Sequence, residues 1–164
     1  MRLVRLVVRS TAILLFGAAM SGVPLLIGPA LAQTVIDGDT IEYKGVVVHL
    51  WGIDAPEKAQ TCSDGWAAGK VAADYLAQLM QGKTVSCELK NKEGADRTNS
   101  ALCKANGQDL SAAMASAGMA WALPSQTPDY TVQDSDAQFD IRGVNAHTCN
   151  KAWDWRAQQL AKGK

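Results

Sequence analysis

Between Thr34 and Trp51 the apolar and polar positions fall into short segments of strand type. Thr34–Tyr43 predicts a strand, a tight Asp-Gly element and a second strand segment. Lys44-Gly45 is a turn, and Val46–Trp51 is a third apolar segment. Gly52-Ile-Asp-Ala-Pro-Glu57 is expected to leave the sheet as a loop, because Pro56 cannot continue a central strand. From about Gly65 to Met80 the period changes. Trp66, Val71, Tyr75, Leu76 and Leu79 follow helical spacing, and Ser63 or Asp64 can cap that helix. Residues 84–89 and 100–105 read as two strands around a charged, turn-rich stretch. Asp109 can cap a shorter helix, Leu110–Ala117, stopped by Gly118. Met119–Leu123 is a short apolar run, and residues 131–142 predict a further helix. The Trp153-Asp-Trp-Arg156 stretch is expected to pack on the body as an aromatic tail. So few strands favour a small closed barrel as the way to remove edges, although pattern alone does not select that topology.

Composition changes this picture little. Of 164 residues, 48% are apolar and 20% charged, which excludes a mostly disordered chain. Sixteen basic residues balance sixteen acidic ones, which excludes a protein that grips nucleic acid by bulk charge. The first 32 residues matter more. Arg2, Arg5 and Arg9 precede an uncharged stretch from Ser10 to Leu31 that ends Pro29-Ala-Leu-Ala32. This reads as a secretory signal peptide cut after Ala32. The other reading is an uncleaved anchor, since the stretch is long enough to span a bilayer, but Gly17, Gly22, Pro24, Gly28 and Pro29 interrupt it. Cleavage leaves residues 33–164 as one domain with no membrane span, located in the periplasm or secreted. Without the three leader arginines, 13 basic residues face 16 acidic ones, a net charge of −3.

An even count of four cysteines in an exported chain favours disulfides over thiols or zinc, and His147 with Cys149 matches zinc spacing only weakly. A hairpin centred on residue 95 places Cys87 opposite Cys103, within bridging distance, which leaves Cys62 to pair with Cys149.

The chemistry concentrates in residues 35–57. Asp37, Asp39, Asp54 and Glu57 are four carboxylates in one short stretch, and Asp37 and Asp39 point the same way if the strand is extended. Clustered carboxylates repel, so their usual partner is a hard cation with oxygen ligands. Acidic spacing alone favours a solvated acidic rim on turns over a cation site.

Val35-Ile-Asp-Gly-Asp-Thr-Ile41 followed by Gly52-Ile-Asp-Ala-Pro-Glu57 resembles the staphylococcal nuclease (thermonuclease) family. Asp96-Arg97, Gly107-Gln-Asp-Leu110, Ala117-Gly-Met-Ala-Trp-Ala122 and Tyr130 extend the resemblance over roughly residues 34–130. The aromatic tail, 146–164, is similar to that of secreted bacterial members. The resemblance implies a mainly β, α+β fold: a five-stranded OB-type barrel with about three packed helices. It also implies a calcium-assisted phosphodiesterase on DNA and RNA. By resemblance, Asp39 and Asp54 are calcium-ligating carboxylates, the Ala55 carbonyl also reaches the metal, and Asp37 is the nearby supporting acid. Glu57 orients or deprotonates the attacking water.

The cationic half departs from the family pattern. His49 and Ser100 stand where the family carries two arginines, Leu123 where a tyrosine is frequent, and Gly143-Val-Asn145 where Gly-Ile-Trp is usual. A planar, two-pronged guanidinium meets the charge that builds on a transferring phosphoryl group, and one such arginine can supply roughly 10³–10⁵ in rate elsewhere. Arg97 is a candidate replacement. His49 has three readings: a hydrogen-bonded core or rim residue, a ligand that would draw the site toward zinc, manganese or nickel, and a weak acid or phosphate contact. Trp51, Trp66, Tyr75 and Trp121 read as core; Trp153 and Trp155 alternate around Asp154, which leaves room for one of them to be exposed to a partner.

Three functions follow from these residues. One is an exported nuclease whose activity on single-stranded nucleic acid is weak or lost. Another is a non-catalytic OB-barrel module for an oligonucleotide, an oligosaccharide or an envelope protein. A third is a disulfide-stapled envelope protein without a small ligand.

Overall fold

The computed structural model describes residues 33–90 and 99–163. The expected leader (1–32) and Arg97 lie outside the described residues. All described elements belong to one unit, Leu31–Lys164.

Three short strands form an antiparallel meander: β1 (Thr34–Val35), β2 (Thr40–Tyr43) and β3 (Val46–Leu50). Between β1 and β2, the amides of Ile36 and Asp37 both donate to the Thr40 carbonyl, so Asp37-Gly-Asp39 is a turn. The two aspartates therefore do not share the face of an extended strand, as the two-residue spacing predicts. Lys44-Gly45 closes the hairpin between β2 and β3. β5 (Val85–Leu89) and β6 (Ser100–Ala105) form the second hairpin, in which Cys87 and Cys103 are register partners joined by a disulfide. β3 then pairs in parallel with β6, His49 opposite Ser100, and the sheet runs β1-β2-β3-β6-β5. A meander whose third strand pairs in parallel with the later hairpin is the OB-type order. Among the described residues no ladder joins β5 back to β1. β7 (Gln108–Asp109) adds to β6.

The stretch from Gly52 to Glu57 is not a free loop. β4 (Ile53–Asp54) pairs antiparallel with β8 (Trp121–Ala122), with Asp54 opposite Trp121. Pro56 only ends this ladder.

The described residues hold four α-helices, rather than about three. α1 (Ala68–Met80) buries Ala68, Ala72, Leu76 and Met80. It begins three residues later than its apolar spacing predicts, because Asp64 does not cap it. The Asp64 carboxylate accepts instead from the Trp66 amide, closing a local turn, and Gly65 adopts φ +89°. α2 (Leu110–Ser116) starts as expected: Asp109 accepts from the Ala112 amide. α3 (Thr131–Phe139) ends before Ile141, whose φ of +54° no helix contains. A 3₁₀ turn, Gly143–Ala146, leads to α4 (Ala152–Lys162), which is the aromatic tail.

The core joins the sheet to α1 and α2 through Ile41, Val48, Leu50, Leu76, Leu110 and Met114. A second cluster, Trp121, Val144 and Ala152 with Trp66 and Trp153 against it, seats α4 on β8. Trp153 meets Trp121 edge to face at 6.1 Å. Trp155 is also half-buried, so neither tail tryptophan stands free in solvent. Asp109 carries a double load, because it also accepts from the buried Tyr130 hydroxyl at 3.1 Å. Burial first, and then Asp109, push the Tyr130 pKa upward, so the phenol stays a donor. Asp109→Ala removes a helix cap and this bond together, and is expected to lower unfolding free energy by about 2 kcal/mol in urea titration. Asp109→Asn keeps one oxygen to accept from the Ala112 amide but sets an NH2 donor against the Tyr130 hydroxyl, so it should lose less than Asp109→Ala.

Candidate active site

The site lies where the Asp37–Asp39 turn, the start of the Glu57 loop and α4 meet. Gly38 permits the approach. A Cβ there would stand 2.7 Å from the Ala72 Cβ and 2.8 Å from the Ala55 Cβ, so only glycine lets the turn lie against both α1 and β4. Gly69 does the same for the next segment, since a Cβ on it would overlap the Glu57 carbonyl oxygen. α1 is thus the floor on which both acidic segments rest.

Asp39 is 3% exposed and Asp54 is 1% exposed. Two carboxylates this dry need compensation. One oxygen of Asp39 accepts from the Ala55 amide at 2.8 Å and the other from the Thr40 hydroxyl at 2.9 Å. The backbone of Ala55 therefore ties Asp39 to the residue after Asp54. Asp37 accepts from the Asp39 amide at 3.1 Å. Burial, and then repulsion from Asp39, push the Asp37 carboxyl up to about 7. Burial disfavours the ionised form, and the neighbouring Asp39 carboxylate adds to that.

His49 reaches this group through one hydroxyl. Its Nδ1 lies 3.0 Å from the Thr40 Oγ1. An ionised Asp39 only accepts, so Thr40 donates to it and accepts from His49, whose Nδ1 carries the proton. Ser100, 1% exposed, is the register partner of His49 across β3 and β6. His49 and Ser100 are therefore neighbours on one sheet, beside Asp39.

The residue that spacing does not reveal is Arg156. From α4 its guanidinium grips Asp54 with two parallel hydrogen bonds, 3.0 Å and 2.7 Å, and reaches Glu57 at 2.6 Å. These carboxylates, and burial against them, set the guanidinium's balance; the Asp54 bonds dominate and push its pKa further upward, so it is always charged. α4 is fixed at its root. Cys149 is bonded to Cys62 on the loop that follows Glu57. The Gln60 amide donates to the Asn150 carbonyl at 2.7 Å, and the Ser63 hydroxyl donates to the Thr148 carbonyl at 3.1 Å. His147 stacks on Trp66 at 4.2 Å and pairs with Asp64 at 2.9 Å. The Trp66 amide and then His147 hold the Asp64 pKa below its ordinary value. His147, which the sequence leaves unassigned, is thus part of the tail's seat. The one local sign of Arg156 is its place beside Trp155 in the Trp-Asp-Trp-Arg run.

The donor set fits a hard divalent cation in chemistry: Asp39, Asp54 and Glu57 offer oxygens, two of these side chains are buried, and Asp37 adds charge behind them. As arranged, Arg156 engages both Asp54 oxygens. Among the described residues no three His, Cys, Asp or Glu side chains are grouped as a ready metal cage.

Comparison with known proteins agrees with the geometry. Residues 47–144 match the family described as staphylococcal nuclease homologue, a span that holds His49, Asp54, Ala55, Glu57 and Ser100. The chain is 34% identical over 141 residues to the succinoglycan biosynthesis protein ExoI of Rhizobium meliloti (strain 1021), covering 79% of this chain and 66% of that protein. It thus spans just under two thirds of that relative. It is 30% identical over 129 residues to an uncharacterized endonuclease of Escherichia coli O157:H7, covering 74% of this chain and 80% of the relative. The same figures hold for an uncharacterized endonuclease of Escherichia coli.

Proposed function

Because the chain belongs to the staphylococcal nuclease homologue family, we propose that it is an exported, metal-assisted phosphodiesterase of DNA and RNA with a reduced rate. The observation that carries this reading is the pairing of buried Asp39 and Asp54 through the Ala55 backbone, with Glu57 one turn of loop away. Asp39, Asp54 and the Ala55 carbonyl would hold calcium, which supplies Lewis-acid polarisation of a phosphoryl oxygen. Asp37 would support that shell by its charge. Glu57, half-buried and open on one side, is placed to orient a water and accept its proton. His49 offers one N–H at a time and Ser100 no charge, so the developing charge on the phosphoryl group meets less than two guanidinium groups would give. A ligating His49 would favour zinc, manganese or nickel over calcium. Its Nδ1 is engaged by Thr40, which leaves only Nε2 for that role.

The two disulfides belong to an oxidising compartment, and no helix among the described residues is long and apolar enough to cross a membrane. Cleavage of a signal peptide after Ala32, with the remaining chain in the periplasm or secreted, would bring the disulfides into such a compartment.

The second reading is a non-catalytic module that binds an oligonucleotide, an oligosaccharide or an envelope partner. It is favoured by Ser100 at an arginine position and by the guanidinium that covers Asp54 and Glu57. The relative named for succinoglycan biosynthesis keeps an oligosaccharide among the ligands to try.

Hydrolysis of single-stranded DNA by the purified protein, with calcium and then manganese or zinc, separates the readings. Metal-dependent cleavage is expected, and Glu57→Gln should lower it by at least a hundredfold. Cleavage no faster than the Glu57→Gln control would remove the enzyme and leave the binding module.

A further inference from the structure

We infer that Arg156 is a latch on the metal site: it competes with a divalent cation for Asp54 and Glu57, and α4 must yield its guanidinium before the cation binds. This rests on the metal-assisted reading above and goes beyond it by assigning a regulator within the chain.

The geometry carries the inference. Both Asp54 oxygens face the two prongs of the guanidinium, at 3.0 Å and 2.7 Å, and the same group reaches Glu57. A fork-on-fork pair uses the inward lone pairs of a carboxylate, which are the ones a bidentate metal would take. A cation coordinated at 2.3–2.6 Å would also stand against a fixed positive charge. Asp54 is 1% exposed, and a buried carboxylate is stabilised by a charged partner, a part that the guanidinium plays in this arrangement and that a metal ion would also play.

The latch is built to stay near and yet to open. Arg156 is 36% exposed, so its guanidinium has a path to water that Asp54 lacks. Its helix cannot drift far. Trp153 packs on Trp121, the register partner of Asp54, and Cys149 is tied to Cys62 beyond Glu57. A released guanidinium therefore remains within a side chain's length of the site. Held there, it is available to a phosphate that arrives with the metal, on the side where positions 49 and 100 offer no arginine.

The test uses calcium alone as the probe, on the oxidised protein, on Arg156→Gln, and on Lys162→Gln. Lys162 is exposed in the last turn of the same helix and touches none of these carboxylates, so it controls for net charge. In calorimetric titration, Arg156→Gln should bind calcium at least tenfold more tightly than the unaltered protein, and Lys162→Gln should stay within twofold of it. Should Arg156→Gln fold poorly, the unaltered protein still decides. Its Arg156 Nη–H resonances, which make the bonds to Asp54 and Glu57, should be protected from exchange without calcium and lose that protection on saturation. Equal affinity in the unaltered protein and Arg156→Gln, or an Arg156 signal unmoved at saturating calcium, overturns the latch and leaves the metal reading standing. No calcium binding by any of the three at millimolar metal overturns the metal reading, and the latch falls with it.

Discussion

His49→Arg with Ser100→Arg is expected to raise the calcium-dependent rate on single-stranded DNA by at least a hundredfold. The two positions face each other across the parallel β3–β6 ladder, so both new guanidinium groups would leave the same sheet side by side. His49 already stands one hydroxyl away from Asp39, through Thr40. A longer side chain from that backbone position would reach beyond Thr40 toward the acidic group itself. Two adjacent positive charges would repel, but they would stand beside the acidic group, where repulsion from Asp39 is, after burial, a cause of the raised Asp37 pKa. Ser100 is 1% exposed, so an arginine there must find a carboxylate or a phosphate to be tolerated. One arginine contributes roughly 10³–10⁵ in other phosphoryl-transfer systems, so a hundredfold gain is a modest expectation for two. Single-turnover cleavage measures it, with circular dichroism to show that the variant folds. A variant that folds and binds calcium but cleaves no faster would mean that the missing arginines are not what limits the rate, and attention would move to how Glu57 is placed.

The parts of this fold that were legible in the sequence are those encoded within a few residues. Asp109 caps α2 because a carboxylate three residues ahead of an amide is a local arrangement. Cys87 faces Cys103 because a hairpin's register follows from its centre. The motif residues of the acidic group were legible for the same reason, since they fall in two short runs. The failures share the opposite cause. Asp54 reads as a loop residue because its strand has two members and its partner, Trp121, is 67 positions away. Asp64 reads as a helix cap, yet its oxygens serve the Trp66 amide and His147 on the far side of the chain. Arg156 lies 102 positions from Asp54, and nothing near it in sequence marks its target. The two-residue spacing of Asp37 and Asp39 reads as one face of a strand, but the Thr40 carbonyl folds that segment into a turn. Arg156 is therefore invisible in the sequence, while the acidic residues that it grips are plain.

Loss of the Cys62–Cys149 bond should be the most damaging single deletion in the chain, and more so than loss of Cys87–Cys103. The first bond closes a loop of 87 residues and the second one of 16. Loop-closure entropy in the unfolded chain then assigns about 4.5 kcal/mol to the first and about 3 kcal/mol to the second. The folded state widens the gap. Cys87 and Cys103 sit inside a ladder of five register pairs that still holds the hairpin when the sulfurs are removed. Cys149 precedes a helix that meets the body through a small cluster and a few hydrogen bonds, so without its tether α4 can leave with Arg156. Cys62→Ala with Cys149→Ala should therefore lower the urea midpoint more than Cys87→Ala with Cys103→Ala. Its unfolding should also begin with exposure of Trp153, read as a fluorescence change ahead of the main transition. Equal midpoints for the two double variants would mean that α4 is held by packing and the Arg156 pair rather than by its covalent root. In that case opening the site would require breaking the pair itself, and reduction of the disulfide would leave Asp54 covered.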